Sequence, residues 1–142
     1  MKRVRKPVRI FLSHSAKDRR FVERLAGILD DHNLPYWHSQ RHIIGAQQWH
    51  DEIGKALAKS NWFVLVLSPA SAKSNWVKHE LLFALDEKAY EGHIVVLSLR
   101  RAKFKKLSWT LTQSQWIDFT GGFDRGCRAL LRIWRKKRRS TR

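Results

Sequence analysis

The sequence predicts an α/β domain with a parallel five-stranded sheet and helices on both of its faces. Two observations carry that prediction. Short runs of β-branched, aromatic and leucine residues alternate along the chain with segments of helical periodicity. The strand-like runs are also apolar at nearly every position, not every second one, which is the pattern of strands covered on both sides. No repeat, linker or low-complexity segment divides the 142 residues, a length suited to one core.

The first strand is Val8–Ser13 (VRIFLS). Ser15 and Asp18 then resemble a capping box with aspartate in place of glutamate. The helix they open repeats Phe21, Leu25 and Leu29 at intervals of four, beside Val22 and Ala26. Asn33-Leu34-Pro35 ends it, and Tyr36-Trp37 makes a very short second strand. His38–Gln47 (HSQRHIIGAQ) is a polar loop carrying the pair Ile43-Ile44 and then Gly45, where glycine admits a backbone angle other residues resist. A second helix places Trp49, Ile53, Ala56 and Leu57 on one side. Trp62–Ser68 (WFVLVLS) is the most apolar segment and the expected central strand. Pro69-Ala70-Ser71 turns the chain into a third helix expected to end near Gly92.

His93–Leu99 is the fourth strand, Arg100–Gln115 has no clear period and is expected to be loop with at most a helical turn, and Trp116–Phe119 is the last strand. Gly121-Gly122 breaks it, and a final helix shows Phe123, Cys127, Leu130, Leu131 and Trp134 at helical spacing. For five strands joined by right-handed crossovers the expected arrangement is flavodoxin-like, order 2-1-3-4-5. The domain is expected over residues 8–134, between a basic extension at 1–7 and a basic tail at 135–142 (RKKRRSTR).

Lysine and arginine number 29 against 12 acidic residues, a formal charge of +17. So basic a surface concentrates polyanions around it, whether nucleic acid, anionic lipid or nucleotide. The excess gathers in Lys2–Arg9, at the C-terminal end, and less strongly in Arg100–Lys106, where charge runs are ordinarily solvated. The lone Cys127 leaves no intramolecular disulfide and no thiolate-cluster zinc site, which fits a reducing compartment. The longest apolar run, Trp62–Leu67, is far short of the ~20 residues of a membrane helix, and Ile10–Leu12 is too short for a signal peptide. A cytoplasmic, membrane-free protein is the expectation.

Several chemistries fail on their motifs. Neither a P-loop nor a GxGxxG turn is present. His79-Glu80 lacks the second histidine of HExxH, and His38 and His42 stand four apart in a loop with no carboxylate near them, which points to no metal. There is no nucleophile elbow and no nucleic-acid recognition motif. The seven tryptophans fall mostly on apolar faces, as core residues do. What stands out is Ser74–Leu81 (SNWVKHEL), opening a helix after the central strand. Trp76 and Glu80 are four apart and share a helical face with Phe83, while Val77, Leu81, Ala84 and Leu85 form a separate apolar stripe. Alone, Glu80 reads as a solvated glutamate. Beside an indole at the carboxyl end of a strand, it sits where open α/β sheets bind ligands.

With IFLSHSAKD (10–18), the loop ending in Gly45, FVLVLSP (63–69) and SNWVKHEL in place, the chain resembles a Toll/interleukin receptor (TIR) domain of the bacterial type over Val8–Leu131. The sharpest element is the serine-tryptophan-glutamate arrangement of Ser74, Trp76 and Glu80. The resemblance implies an enzyme that cleaves the nicotinamide–ribose bond of NAD, yielding ADP-ribose or a cyclised form. It implies Glu80 as the catalytic residue, Trp76 as a pocket wall, and a pocket floor of Ser13, His14 and Ser15. His14 departs from the arginine or other polar residue common there. Ser68, at the end of the central strand, and Gly45 and Arg41, in the loop controlling access and assembly, complete the expected substrate contacts, with Arg41 on the pyrophosphate. The chain looks short of the family's fourth helix, at Arg100–Gln115.

NAD is then the substrate and no cofactor is needed. The expected partners are further copies of the chain through TIR–TIR contacts, to which Ile43-Ile44 could add apolar area or under which it could simply pack. An activating or effector protein is expected because a single domain holds no sensor of its own. The role implied is immune or antiphage signalling. Two other readings stand beside this one: a non-catalytic TIR scaffold that acts by assembly, against which Glu80 counts, and a nucleic-acid-binding TIR domain, suggested by the charge, whose attraction would be non-specific.

Overall fold

The computed structural model describes residues 7–38 and 46–135. Five strands form one sheet: β1 (Ile10–Ser13), β2 (Tyr36–His38), β3 (Trp62–Leu67), β4 (Ile94–Ser98) and β5 (Gln115–Asp118). Their order is β2-β1-β3-β4-β5 with every pairing parallel, as expected. Among the described residues five α-helices flank them: α1 (Arg19–Asp31), α2 (Ala46–Lys59), the one-turn α3 (Pro69–Ala72) and α4 (Asn75–Asp86) lie between strands, and α5 (Phe123–Trp134) follows β5. None of the described helices is long and apolar enough to cross a membrane.

The two-residue period of the strands sorts the core into two layers. On one side Ile10, Leu12, Val64 and Val66 pack with Val22, Leu25 and Leu29 of α1 and with Cys127, Leu130 and Trp134 of α5. On the other, Phe11, Phe63, Leu65 and Leu67 pack with Ile53, Ala56 and Leu57 of α2 and with Val77, Leu81 and Ala84 of α4. All six residues of β3 are buried, which is why its sequence shows no alternation.

Several expectations need correction. Val8 is 69% exposed and β1 begins two residues later. The third helix stops at Asp86, where Glu87 turns extended. A 3₁₀ turn at Lys88–Tyr90 follows, and the Tyr90 hydroxyl donates to the Leu57 carbonyl at 2.5 Å, satisfying an end group of α2. Residues 100–115 hold two 3₁₀ segments, Phe104–Lys106 and Trp109–Gln113, not a plain loop.

The tryptophans are also less uniformly internal than expected. Trp62 and Trp134 meet edge to face at 5.5 Å inside the core, but Trp109 and Trp116 are 65% and 38% exposed. β5 is an edge strand, exposed at Gln115, Trp116 and Asp118. Trp116 is held there by its indole N–H donating to the Leu111 carbonyl at 2.7 Å and by the ring of Phe104. The expectations on Arg41, Ile43-Ile44, Gly45 and the two basic ends fall outside the described residues.

Candidate active site

Alternation along β1 turns Ser13 toward the α2/α4 layer, because Phe11 faces that way two residues earlier. There the Ser13 hydroxyl donates to Oε1 of Glu80 at 2.7 Å. Both side chains are buried, at 0% and 2% exposure. Glu80 arrives from α4, whose first turn is capped by Ser74 accepting from the Val77 amide at 3.2 Å. The buried line of that helix is Val77, Glu80, Leu81 and Ala84, a single face at helical spacing.

The separate-stripe expectation is therefore wrong in one respect. Glu80 stands in the core line, and Leu85, assigned to it, is 38% exposed. The reason is chemical: a carboxylate can occupy a core position only where a donor meets it, and the polar end of β1 supplies one.

The remaining site residues gather at the carboxyl ends of β1, β2 and β3. Trp76 is half-buried against the α2/α4 core layer and edge-on to His79. His14 is 4% exposed, with Nδ1 3.4 Å from the Leu12 carbonyl and its ring 6.0 Å from that of His38, which ends β2. Ser15 accepts from the Lys17 amide at 3.2 Å and caps the 3₁₀ turn Ala16–Asp18. Asp18 does not complete a capping box as expected. Its buried carboxylate instead accepts from the Ser68 hydroxyl at 2.5 Å.

Ser68 and Ser71 cap α3 reciprocally. The Ser71 amide donates to Ser68 Oγ at 3.2 Å and the Ser68 amide to Ser71 Oγ at 2.9 Å. Asp18–Ser68–Ser71 is thus a buried strut between the segments that follow β1 and β3. Sequence reasoning missed Asp18 and Ser71 in this role. The available signal was an aspartate where a capping box takes glutamate, and a serine three residues after another beside a proline.

The site lies where the chain order reverses, between β1 and β3, with β2 on one flank and β4 on the other. That is the position at which open α/β sheets place ligands. A shallow cavity of about 580 Å³ lined by Leu85, Tyr90, Ile94, Thr110 and Gln115 lies at the opposite edge, where β4 and β5 begin, and shares no residue with Ser13, Glu80 or Trp76. Among the described residues no group of histidine, cysteine or carboxylate side chains is arranged to hold a metal ion. Besides the Asp18–Ser68 pair, the arrangement offers a buried carboxylate oriented by Ser13 and an indole one helical turn before it. Those two parts suit stabilisation of positive charge on a flat-ringed substrate.

Residues 10–131 match the TIR domain family. Among characterised proteins, the chain is 26% identical over 90 residues to a 2' cyclic ADP-D-ribose synthase, BtTIR, of Bacteroides thetaiotaomicron, covering 63% of this chain and 31% of the relative. It is 28% identical over 133 residues to the NAD(+) hydrolase TcpA of Theionarchaea archaeon (strain DG-70-1), covering 90% of this chain and 40% of that one. The chain therefore spans less than half the length of either relative. Among solved structures, the TIR domains of the activated Roq1 resistosome superpose with a TM-score of 0.68 at 17% identity, covering 88% of this chain and 98% of theirs, a likeness of fold.

Proposed function

This chain belongs to the TIR domain family, and from that premise we propose that it cleaves the nicotinamide–ribose bond of NAD with Glu80 as the catalytic carboxylate. The observation that carries the reading is Glu80 itself, 2% exposed on a helix face otherwise apolar and hydrogen-bonded by Ser13. The relatives named for NAD hydrolysis and for synthesis of a cyclic ADP-ribose support the same bond as the target.

The chemistry suits so small a site. Nicotinamide departs as a neutral molecule from a cationic ring, so the leaving group needs no proton. The ribose left behind is oxocarbenium-like, as in glycoside cleavage. A carboxylate held out of bulk water faces that developing charge at a low effective dielectric. Ser13 fixes its orientation, Trp76 offers a face to a flat ring, and His14 and Ser15 form the floor. Ser68, whose hydroxyl is engaged by Asp18, acts by placing α3 and hence the start of α4. Arg41, near Gly45, holds the pyrophosphate in this reading. Water taking up the ribosyl cation gives ADP-ribose; an internal group of the substrate gives a cyclic product.

The same proposal includes self-assembly through TIR–TIR contacts, activation by a partner protein, and a cytoplasmic role in immune or antiphage signalling; the activated resistosome whose TIR domains share this fold is one that directly recognises a pathogen effector. The test is nicotinamide release by concentrated wild type beside Glu80→Ala and Glu80→Gln. No release from wild type, even crowded, sinks the enzyme; equal release from the variants sinks the site.

A further inference from the structure

We infer that the outer face of α5 is a polyphosphate-binding surface, and that its partner is a nucleic acid. After Asp124, every exposed position from this helix to its C-cap is an arginine: Arg125, Arg128, Arg132 and Arg135. Their spacing of three, four and three puts all of them on one line of the helix, opposite the buried Cys127, Leu130 and Trp134. Along the axis they follow one another at about 4.5–6 Å.

Carboxylates do not neutralise this line. Among the described residues the ion pair found is Arg19 with Glu23, on α1. Arg125 helps hold the Asp118 carboxyl below its ordinary range, after the hydrogen bonds from Thr120, and Asp124, four residues before Arg128, is the acidic residue of the helix's first turn. No ion pair to Arg128, Arg132 or Arg135 is found among the described residues. The charge continues onto α1, where the Arg24 guanidinium lies 3.9 Å above the ring of Phe123, at the first turn of α5.

The kind of anion follows from what the line is made of. All four cations are arginine, whose planar fork grips phosphate through two parallel hydrogen bonds, where lysine offers a point charge. A membrane-binding helix needs an apolar face beside its cations, and α5 turns its apolar residues into the core. Among the described residues the exposed large apolar side chains, Val8, Leu82, Phe83, Leu85, Trp109 and Trp116, lie before β1, on α4, before β5 and on β5, and none is on α5. A straight row of forks without apolar anchors suits a chain of phosphates, which carries one charge per about 3.4 Å of axis in each duplex strand. The inference is independent of NAD cleavage, since it uses no residue of that site.

The test is fluorescence anisotropy of a labelled random-sequence duplex over a salt series. It compares wild type, the triple variant Arg128→Gln/Arg132→Gln/Arg135→Gln, and a charge-matched control, Lys55→Gln/Lys59→Gln/Lys88→Gln, taken from α2 and the turn after α4. Wild type should lose affinity steeply with salt. The arginine variant should flatten that slope by about 2–3, one contact per arginine, and the control by much less. Equal flattening by both variants reduces the effect to the overall charge of +17 and overturns the surface. So does an arginine variant that binds as wild type. Vesicles of phosphatidylserine that bind wild type more tightly than the duplex does, and lose it in the arginine variant, would overturn the nucleic acid in favour of a membrane.

Discussion

Helices α4 and α5 are each twelve residues long, lie on opposite faces of the same sheet, and obey opposite rules. α5 is sorted by polarity: Gly126, Cys127, Leu130 and Trp134 inside, arginines outside. α4 is not. It buries Glu80 and leaves Leu82, Phe83 and Leu85 at 45%, 38% and 38% exposure. A helix that follows the pattern is explained by folding alone. One that breaks it by burying a carboxylate has met a constraint of another kind, and such breaks concentrate at functional sites.

The largest effect should separate the two. Glu80→Gln keeps the shape of the side chain and an acceptor for the Ser13 hydroxyl but removes the charge. We expect NAD turnover to fall by about 10²–10³, measured as nicotinamide release, while the urea midpoint changes little because the shape and the acceptor for Ser13 are kept. A variant that keeps turnover and loses stability would make Glu80 as structural as Leu130.

That leucine gives the mirror experiment. Leu130 is 1% exposed in the α1/α5 layer, and Leu130→Ala should cost about 2–5 kcal/mol in chemical unfolding. Turnover per folded molecule should be unchanged, since the α1/α5 layer does not touch Glu80.

Ser13→Ala is the finer probe of the carboxylate. A hydrogen bond to a charged group is worth about 1.5–3 kcal/mol. If Ser13 orients Glu80, nicotinamide release should drop by about tenfold or more, through kcat more than through KM. Loss confined to KM would make Ser13 a substrate contact instead.

Alkaline pH should loosen the sorted helix. Burial pushes the Cys127 thiol up to about 11, with Asp124 adding to the rise and Arg24 opposing it. Burial likewise pushes the Tyr90 hydroxyl up to about 12. Both groups keep their protons in the folded chain at pH values where the unfolded chain releases them. Stability is therefore intact below about pH 8.5 and declines as pH rises toward the folded-state values. Urea midpoints from pH 8 to 11 check this, and Cys127→Ala should flatten the decline that begins near pH 9.

How far all this could be read from the chain follows from the same contrast. Apolar runs such as WFVLVL and the Phe21-Leu25-Leu29 repeat are local patterns, and they yielded the sheet order and its covered faces. The Ser74-Trp76-Glu80 spacing placed the carboxylate on the right helix. Its burial was not legible, because that depends on Ser13, 67 positions away in sequence. A separation of 50 positions likewise hid Asp18, which sequence spacing assigned to its own helix cap while the fold pairs it with Ser68. Long-range polar pairs leave no periodicity behind. In Arg100–Gln115 the sequence allowed a helical turn without placing the two 3₁₀ segments, Phe104–Lys106 and Trp109–Gln113, because runs this short carry too few turns to show a period.

The smallest expected effect bears on the exposed side of α4. Leu82 is 45% exposed although a helix of the sorted kind would place a polar residue there. If the break in pattern on α4 comes from Glu80 alone, Leu82 contributes little to the folded chain, and Leu82→Lys should shift the unfolding free energy by no more than about 0.5 kcal/mol. Lysine is as good a helix former as leucine, so propensity does not disturb the comparison. Urea unfolding at low protein concentration reads the shift without contributions from association. A loss of 2 kcal/mol or more would mean that the outer side of α4 is packed within the monomer, and the contrast with α5 would then be one of partners, not of sorting.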